Sequence, residues 1–477
     1  MDAAKYLSHF FYSIGSYICY YNYEVVIYME NTKKIHRRFN EVQILALGFI
    51  IIILVGALIL SLPISSRSGK STNFLDSLFT ATSSVCVTGL ITLDTGTYWN
   101  TFGQSVILFL IEIGGLGFMS LTTFIYIIIG KKITLRDRMI VQEAINVFDI
   151  QGIVRMVKGI LLFTVIVQGI GAIALGFIFI PDYGLSKGIF YSIFHSVSAF
   201  CNAGFDLIGN FNSITGYNTN TLFILVISAL VIIGGLGFST ISNIYQTRNR
   251  KRLSVNTKLV ITTTITLLAI GTIAFFFLEY NNPETLGNMS FKNKLLNSFF
   301  SAVTPRTAGF NSISTGGMTD SSKILTIMLM FIGGSPGSTA GGIKTTTIGL
   351  IILTIICVIK GRDDTEAFGR RFSKEIVYKA FTLFAIAIGI VFVVTFILVI
   401  AEQGEDFIDL LYEATSAFGT AGITTGVTQR LDVIGKIVII ISMYIGRVGP
   451  LTIIFALTKK KKKKISYKYP EGKLLIG

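Results

Sequence analysis

Four short stretches of this chain end in the same way. Aligned glycine on glycine, residues 76–90 read DSLFTATSSVCVTGL, 191–205 YSIFHSVSAFCNAGF, 296–310 LNSFFSAVTPRTAGF and 409–423 DLLYEATSAFGTAGI, with no gaps. Each opens with an apolar, aromatic-containing run, turns to small and hydroxylated residues, and reaches a small residue followed by glycine: Thr88-Gly89, Ala203-Gly204, Ala308-Gly309 and Ala421-Gly422. The chemistry this pattern offers is that of the backbone. A chain that aims its carbonyl oxygens at a common centre must visit positive φ and let neighbouring backbones come close, and glycine does both cheaply. A ring of such oxygens can replace the water around a bare potassium ion. One of these glycines alone would be an ordinary packing glycine between membrane helices. Four in register read instead as quarters of one ion filter, made of Val87, Thr88, Gly89 and Leu90, then Asn202, Ala203, Gly204 and Phe205, Thr307, Ala308, Gly309 and Phe310, and Thr420, Ala421, Gly422 and Ile423.

The elements that must position these quarters are written in the composition. Of 477 residues, 51% are hydrophobic and 14% charged, with a mean hydropathy of +0.68, whereas soluble domains carry about 25% charged residues. Apolar runs near the ~20 residues a bilayer requires occupy roughly 44–62, 104–129, 159–180, 219–241, 259–278, 324–359 with an interruption, 376–400 and 433–457. They form four pairs with one filter copy between the members of each. The expected fold is an all-α polytopic membrane protein. It has four parallel repeats of transmembrane helix, pore helix with filter loop, and transmembrane helix around a pseudo-fourfold central pore. Internal repetition of this kind decides the fold before any single segment does.

The formal net charge of +15 is distributed by side. Lys and Arg gather at 1–43, 131–158, 247–258, 360–374 and 459–477, which share one face if every pair crosses out and back. The positive-inside rule makes that face cytoplasmic, with both termini there. Such a charge excess orients a membrane protein and touches anionic lipid; nucleic acid is not the expected partner. Four cysteines, Cys19, Cys86, Cys201 and Cys357, show neither metal-ligand spacing nor a disulfide framework. Cys86 and Cys201 sit three residues before their filter glycines and are read as small packing residues, with a meeting near the outer mouth as the alternative. The aromatic stretch 10–28 suits a helix lying at the membrane surface.

A second set of glycines follows each filter copy: GGLGF at 114–118 and again at 234–238, GGSPG at 333–337, and GRVGP at 446–450, starting 25, 30, 24 and 24 residues after the filter glycine. Close helix packing or a bend accounts for the first two. The third continues as GGSPGSTAGGIKTTT, residues 333–347. Glycine and proline cost a helix interior about 1 and 3 kcal/mol, so the span should break at membrane depth, where irregular backbone must be buried or line a watery cavity. Gly333, Gly334, Ser335, Pro336, Gly337, Ser338, Thr339, Ala340, Gly341, Gly342 and Lys344 are the expected gate. Lys344 and Arg447 are ionisable groups at membrane depth, functional by default; Arg447 would limit ion passage or occupancy, unless it pairs with Glu112 or another carboxylate. His195 is expected to be a hydrogen-bonded packing residue. Pro305, Arg306 and Asn202 make the ring chemically unequal. Glu402, Glu405, Asp406 and Asp409 form an acidic cluster that could concentrate cations at the mouth.

Taken together, four span, pore-loop, span units, GGSPGSTAGGIKTTT and GRVGPLT resemble the Trk/Ktr/HKT superfamily of potassium transporters over about residues 44–458. Eight strong spans make the chain most similar to bacterial Ktr membrane subunits. The resemblance implies a homodimer with one pore per protomer, seated in the bacterial cytoplasmic membrane on a cytoplasmic ring of regulatory subunits that bind ATP or ADP. It also implies that 333–347 is an intramembrane gating loop and that Arg447 stands near the pore. Plant HKT proteins with serine in the first filter position are sodium-selective; Gly89 stands there here, so potassium is the expected ion and sodium the alternative, as permeant or coupled ion. The expected divisions are a cytoplasmic segment 1–43, repeats at 44–130, 131–246, 247–360 and 361–458 with cytoplasmic loops leading the last three, and a basic tail 459–477 containing Lys459 to Lys464. A secondary symporter is a remote rival, since its repeats are commonly inverted and these run parallel. An enzyme is not expected: HExxH and GxSxG are absent, and Glu112, His195 and Lys344 form no catalytic set. No cofactor is expected in this chain beyond the transported ion.

Overall fold

The computed structural model describes residues 41–117, 138, 139, 141, 142, 153–247 and 253–457. The aromatic stretch 10–28, the Lys459 to Lys464 tail and the remainder of the first return span beyond Gly117 lie outside the described residues. Within them the chain is almost wholly helical, with one small hairpin pairing Glu366–Ala367 to Arg370–Arg371.

Four long helices head the four repeats: Glu41–Ser61, Ile153–Tyr183, Val255–Glu279 and Lys374–Ala401. Each is apolar and long enough to cross a bilayer, and each turns bare hydrocarbon outward. Phe177, Phe277 and Phe396 are 75%, 74% and 67% exposed, which is favourable only against lipid. Behind each comes a pore helix, Phe74–Val85, Leu185–Phe200, Phe291–Val303 or Phe407–Gly419. At 12 to 16 residues these reach roughly 18–24 Å, too short to span. Each packs along its own long helix.

The return helices begin alike. Asn100, Asn220, Thr319 and Asp432 cap them, each side-chain oxygen accepting from the backbone N–H three residues on, at 3.0, 3.1, 3.3 and 2.6 Å. Such caps satisfy one of the four orphan donors of a helix start. This fourfold echo is present in the sequence but is masked by unequal loops before it.

Among the described residues the return helices of repeats two, three and four are interrupted, whereas only the third was expected to lose its helix. The second divides into Thr221–Gly235 and Phe238–Gln246, bent by 91°, and the fourth into Val433–Val448 and Pro450–Leu457. The first ends at Leu116. The cause is the fourth residue of each glycine motif: Gly117, Gly237 and Gly449 have φ of +78°, +88° and +93°, a left-handed turn that ends a helix. The first glycine of the motif does the other work. A Cβ on Gly114, Gly234 or Gly446 would fall on the carbonyl oxygen of Val85, Phe200 or Phe418, the residue four before the filter glycine in each case. Packing and bending thus belong to different glycines of one motif.

Two ion pairs tie neighbouring repeats. Lys323 meets Asp409 and Lys436 meets Asp76, both at 2.8 Å, joining the start of one return helix to the first residue of the next repeat's copy. With side chains 11–19% exposed, these pairs lie between the surface and buried regimes, so losing one partner should cost about 1–3 kcal/mol. Lys436→Met and Asp76→Asn are each expected to lower the unfolding temperature in detergent, and the double variant to lower it by less than the sum of the two. Additive losses would show that the pair contributes nothing as a pair.

Candidate ion filter and gating loop

Each pore helix ends in the same two-step turn. Val87, Asn202, Thr307 and Thr420 have φ of +56°, +60°, +69° and +50°, and the glycines two residues later, Gly89, Gly204, Gly309 and Gly422, +97°, +71°, +76° and +79°. The residues between them, Thr88, Ala203, Ala308 and Ala421, keep negative φ. Alternation of hand turns successive peptide units the same way, so N–H groups gather on one side and carbonyls on the other. The N–H side faces the pore helix. Thr88, Ala203 and Ala421 N–H donate to Ser83, Ser198 and Ser416 carbonyls, all at 2.8 Å, and Gly89 N–H donates to Ser83 Oγ at 3.1 Å. Repeat three departs here. Pro305 has no N–H, and Ala308 donates instead to Thr304 O, one residue out of step.

The four turns meet. A Cβ built on Gly89 would stand 2.6 Å from Ala203 O; on Gly204, 3.0 Å from Ala308 O; on Gly309, 3.4 Å from Ala421 O; and on Gly422, closer still to Thr88 O. Each glycine therefore faces the carbonyl of the residue before the next repeat's glycine, and the fourth faces the first. This closes a cycle of four equivalent backbone contacts in chain order, with every filter side chain buried. Two of the carbonyls expected to line the path are turned away: Phe205 O accepts from Ser198 Oγ at 2.7 Å and Phe310 O from Thr304 Oγ1 at 2.5 Å, each from its own pore helix. The carbonyls that face a neighbouring repeat's glycine in the cycle are those of Thr88, Ala203, Ala308 and Ala421.

Residues 332–344 cross under the deep end of this ring as an irregular loop between Asp320–Phe331 and Thr345–Ile359. Its ends are tied by an Ile332–Ile343 bridge and by Thr345 N–H to Gly334 O at 3.1 Å. It is held by three repeats. Ser335 N–H donates to Gly235 O at 3.0 Å, and Phe238 N–H to Gly337 O at 2.9 Å, both at the broken second return helix. Thr339 Oγ1 lies 3.2 Å from Phe200 O and 3.1 Å from the Asn202 amide, which also meets Thr307 Oγ1 at 3.3 Å. A Cβ on Gly341 would strike the Thr420 side chain. The loop thus touches the left-handed residue of filter copies two and four directly.

Two cations bind it. Lys344 Nζ donates to Ala340 O at 2.8 Å. Arg447 donates to Thr339 O with one guanidinium nitrogen and to Gly114 O with the other, strapping the loop to the first return helix. The alternative pairing of Arg447 with Glu112 is not made: Glu112 accepts from Gln168 Nε2 at 2.9 Å and Cys201 Sγ at 3.3 Å. Cys86 and Cys201 are free, buried, and sit at the deep ends of their pore helices rather than at a mouth. Arg306 is buried and reaches Thr264 Oγ1 at 3.3 Å.

The acidic cluster is largely occupied. Glu405 takes two bonds of 2.8 Å from Arg430, which hold its carboxyl below the usual range. Asp409 pairs with Lys323, and Glu402 accepts Asp432 N–H. Asp406, the remaining member, belongs to none of the ion pairs among the described residues. Among the described residues no three His, Cys, Asp or Glu side chains gather into a metal-binding group. What sequence reasoning missed is the left-handed residue two before each glycine. Only Asn202, a type that tolerates that region, hints at it; Val87, Thr307 and Thr420 are β-branched and argue against it.

The chain matches the family model TrkH, cation transport protein, over residues 18–468. It is 45% identical to the potassium/sodium uptake protein NtpJ of Enterococcus hirae, covering 93% of this chain and 99% of that one. Its identity to the Ktr system potassium uptake protein B of Bacillus subtilis is 44%, over 92% and 97%. Among solved structures, the potassium transporter TrkH of Vibrio parahaemolyticus superposes with a TM-score of 0.68 over 88% of this chain and 85% of that one; at 18% identity that likeness is one of fold. Parallel repeats closing on one axis, lipid-facing long helices and these relatives lead to one conclusion: the chain belongs to the TrkH/Ktr family of multi-pass membrane proteins, cation transporters and not enzymes.

Proposed function

We propose that this chain conducts potassium into the cell through the ring of Thr88, Ala203, Ala308 and Ala421 carbonyls and their filter neighbours, with the loop 333–347 as the gate beneath it. The observation that carries this reading is the closed cycle in which each filter glycine faces the next repeat's carbonyl. Four copies of one backbone turn, meeting in chain order, bring four corresponding carbonyls into one ring while the filter side chains are buried. Oxygens so placed strip water from a monovalent cation and replace it. Lys344 and Arg447 place two positive charges against the loop, where they raise the barrier to an ion until the loop moves. Membrane potential drives uptake.

By the family's pattern the working unit is a homodimer in the cytoplasmic membrane with both termini inside. It rests on a cytoplasmic regulatory ring that binds ATP or ADP; the Bacillus relative is named as one component of a system. Sodium is the second reading, as permeant or coupled ion, and the Enterococcus relative's name carries both ions. Ion replacement decides between them. Expressed in cells lacking their own potassium uptake, with and without a regulatory ring, the chain is expected to restore growth and rubidium uptake at low external potassium. Replacing external potassium by sodium should leave little uptake; equal sodium uptake would overturn potassium selectivity.

A further inference from the structure

In register, the fifth residue of the four copies is Thr80, His195, Phe300 and Glu413. Two of these, in the repeats that face each other across the ring, reach the same backbone atom. His195 Nε2 receives Leu207 N–H at 3.4 Å and Glu413 Oε1 receives Thr425 N–H at 3.1 Å, and both donors stand three residues beyond their filter glycine. His195 Nδ1 lies 2.8 Å from Tyr191 O. Because a carbonyl oxygen only accepts, that nitrogen carries the proton and Nε2 presents its lone pair to the strand.

Glu413 is wholly buried and takes two further donors, the hydroxyls of Thr424 and Thr428. It belongs to none of the ion pairs among the described residues. A buried carboxyl is costly unless its oxygens are satisfied, and here every bond it makes goes to the chain just past the fourth filter copy. The other two repeats lack this device: Thr80 Oγ1 turns back to Asp76 O at 2.9 Å, and Phe300 has no polar atom.

We propose that Glu413 and His195 are positioning residues, a diagonal pair of struts that fix the exit ends of filter strands two and four and thereby set the ring's preference between potassium and sodium. Neither touches the ion. Each fixes the rear of a strand whose front carries the coordinating oxygens, and a site of this kind works only if held to about 0.5 Å. Glu413 is the stiffer strut, because it takes three donors from the strand where His195 takes one. The inference rests on the filter reading above.

The test measures, in proteoliposomes of the full-length chain, the sodium concentration that halves potassium uptake. Glu413→Gln keeps an acceptor for Thr425 N–H and is expected to stay within about 3-fold of the parent, while Glu413→Leu should make sodium at least ~10-fold more competitive. His195→Leu should shift in the same direction by less, and Thr80→Val and Phe300→Leu not at all. Unchanged competition in an inserted Glu413→Leu protein, or a lower rate with parental competition, overturns the proposal. If the leucine variant does not insert, Glu413→Asp, one methylene too short to reach, carries the test: an intermediate shift supports the strut and parental competition removes it. Gly204→Ser separates the two claims. A shift there without one at Glu413 leaves the filter and refutes the strut, and a shift at neither refutes the filter itself.

Discussion

Gly204→Ser and Gly309→Ser are each expected to lower the preference for potassium over sodium by at least ~10-fold, equivalent to about 1.4 kcal/mol of lost discrimination, while the protein still inserts. Two effects add. Gly204 and Gly309 hold φ of +71° and +76°, where a side chain costs roughly 1–2 kcal/mol. The added Cβ also lands on backbone, 2.5 Å from Gly309 Cα in the first variant and 2.6 Å from Gly204 Cα in the second, so the two walls must part. A ring widened on one side holds its oxygens too far from a dehydrated ion and admits a hydrated one. Competition of sodium against rubidium uptake measures this, and parental competition in both variants would remove the filter from these residues. Gly117, which also has positive φ but meets nothing within 4 Å, is the control: alanine there should alter rate more than ion preference.

Removing residues 337–342 is expected to raise potassium flux several-fold and to free it from the proposed regulatory ring. Irregular backbone under the ring is held by a finite set of bonds, each worth about 0.5–1.5 kcal/mol net. The deletion takes out Thr339 and with it the contacts to Phe200 O, Asn202 and Arg447. Because Thr339 touches the second filter copy, some loss of potassium preference should accompany the gain in flux. Initial rates of rubidium uptake at matched protein levels decide it. Unaltered or reduced flux from a correctly inserted variant would make the loop a structural bend.

Much of this architecture is legible in the amino-acid sequence, for a physical reason. Glycines that must face one another cannot drift to other residues, so the four quarters stay alignable, and lipid-facing helices declare themselves by their lack of charge. The broken return helices were legible only where Gly333, Pro336 and Gly337 crowd together. In the fourth, Gly449 ends the helix alone, and a single glycine in an apolar run cannot be told from a packing glycine without its φ. The partners of charged residues were least legible. For Arg447 a carboxylate such as Glu112 was only the alternative to a charge near the pore, and its guanidinium finds carbonyls at the helix breaks, Thr339 O and Gly114 O, which no pattern of charges reveals. The left-handed turn at Val87, Thr307 and Thr420 ran against residue preference. Such positions cost of order 1–3 kcal/mol each and persist because the pore helix and neighbouring strands leave no other choice.

The missing N–H of Pro305 shows what it means to draw all four walls from a single gene. In an assembly of identical subunits the same proline would appear on every side at once and the opening would be remade wholesale. Here one wall has slipped by a residue while three keep step, so heredity can adjust this passage a quarter at a time.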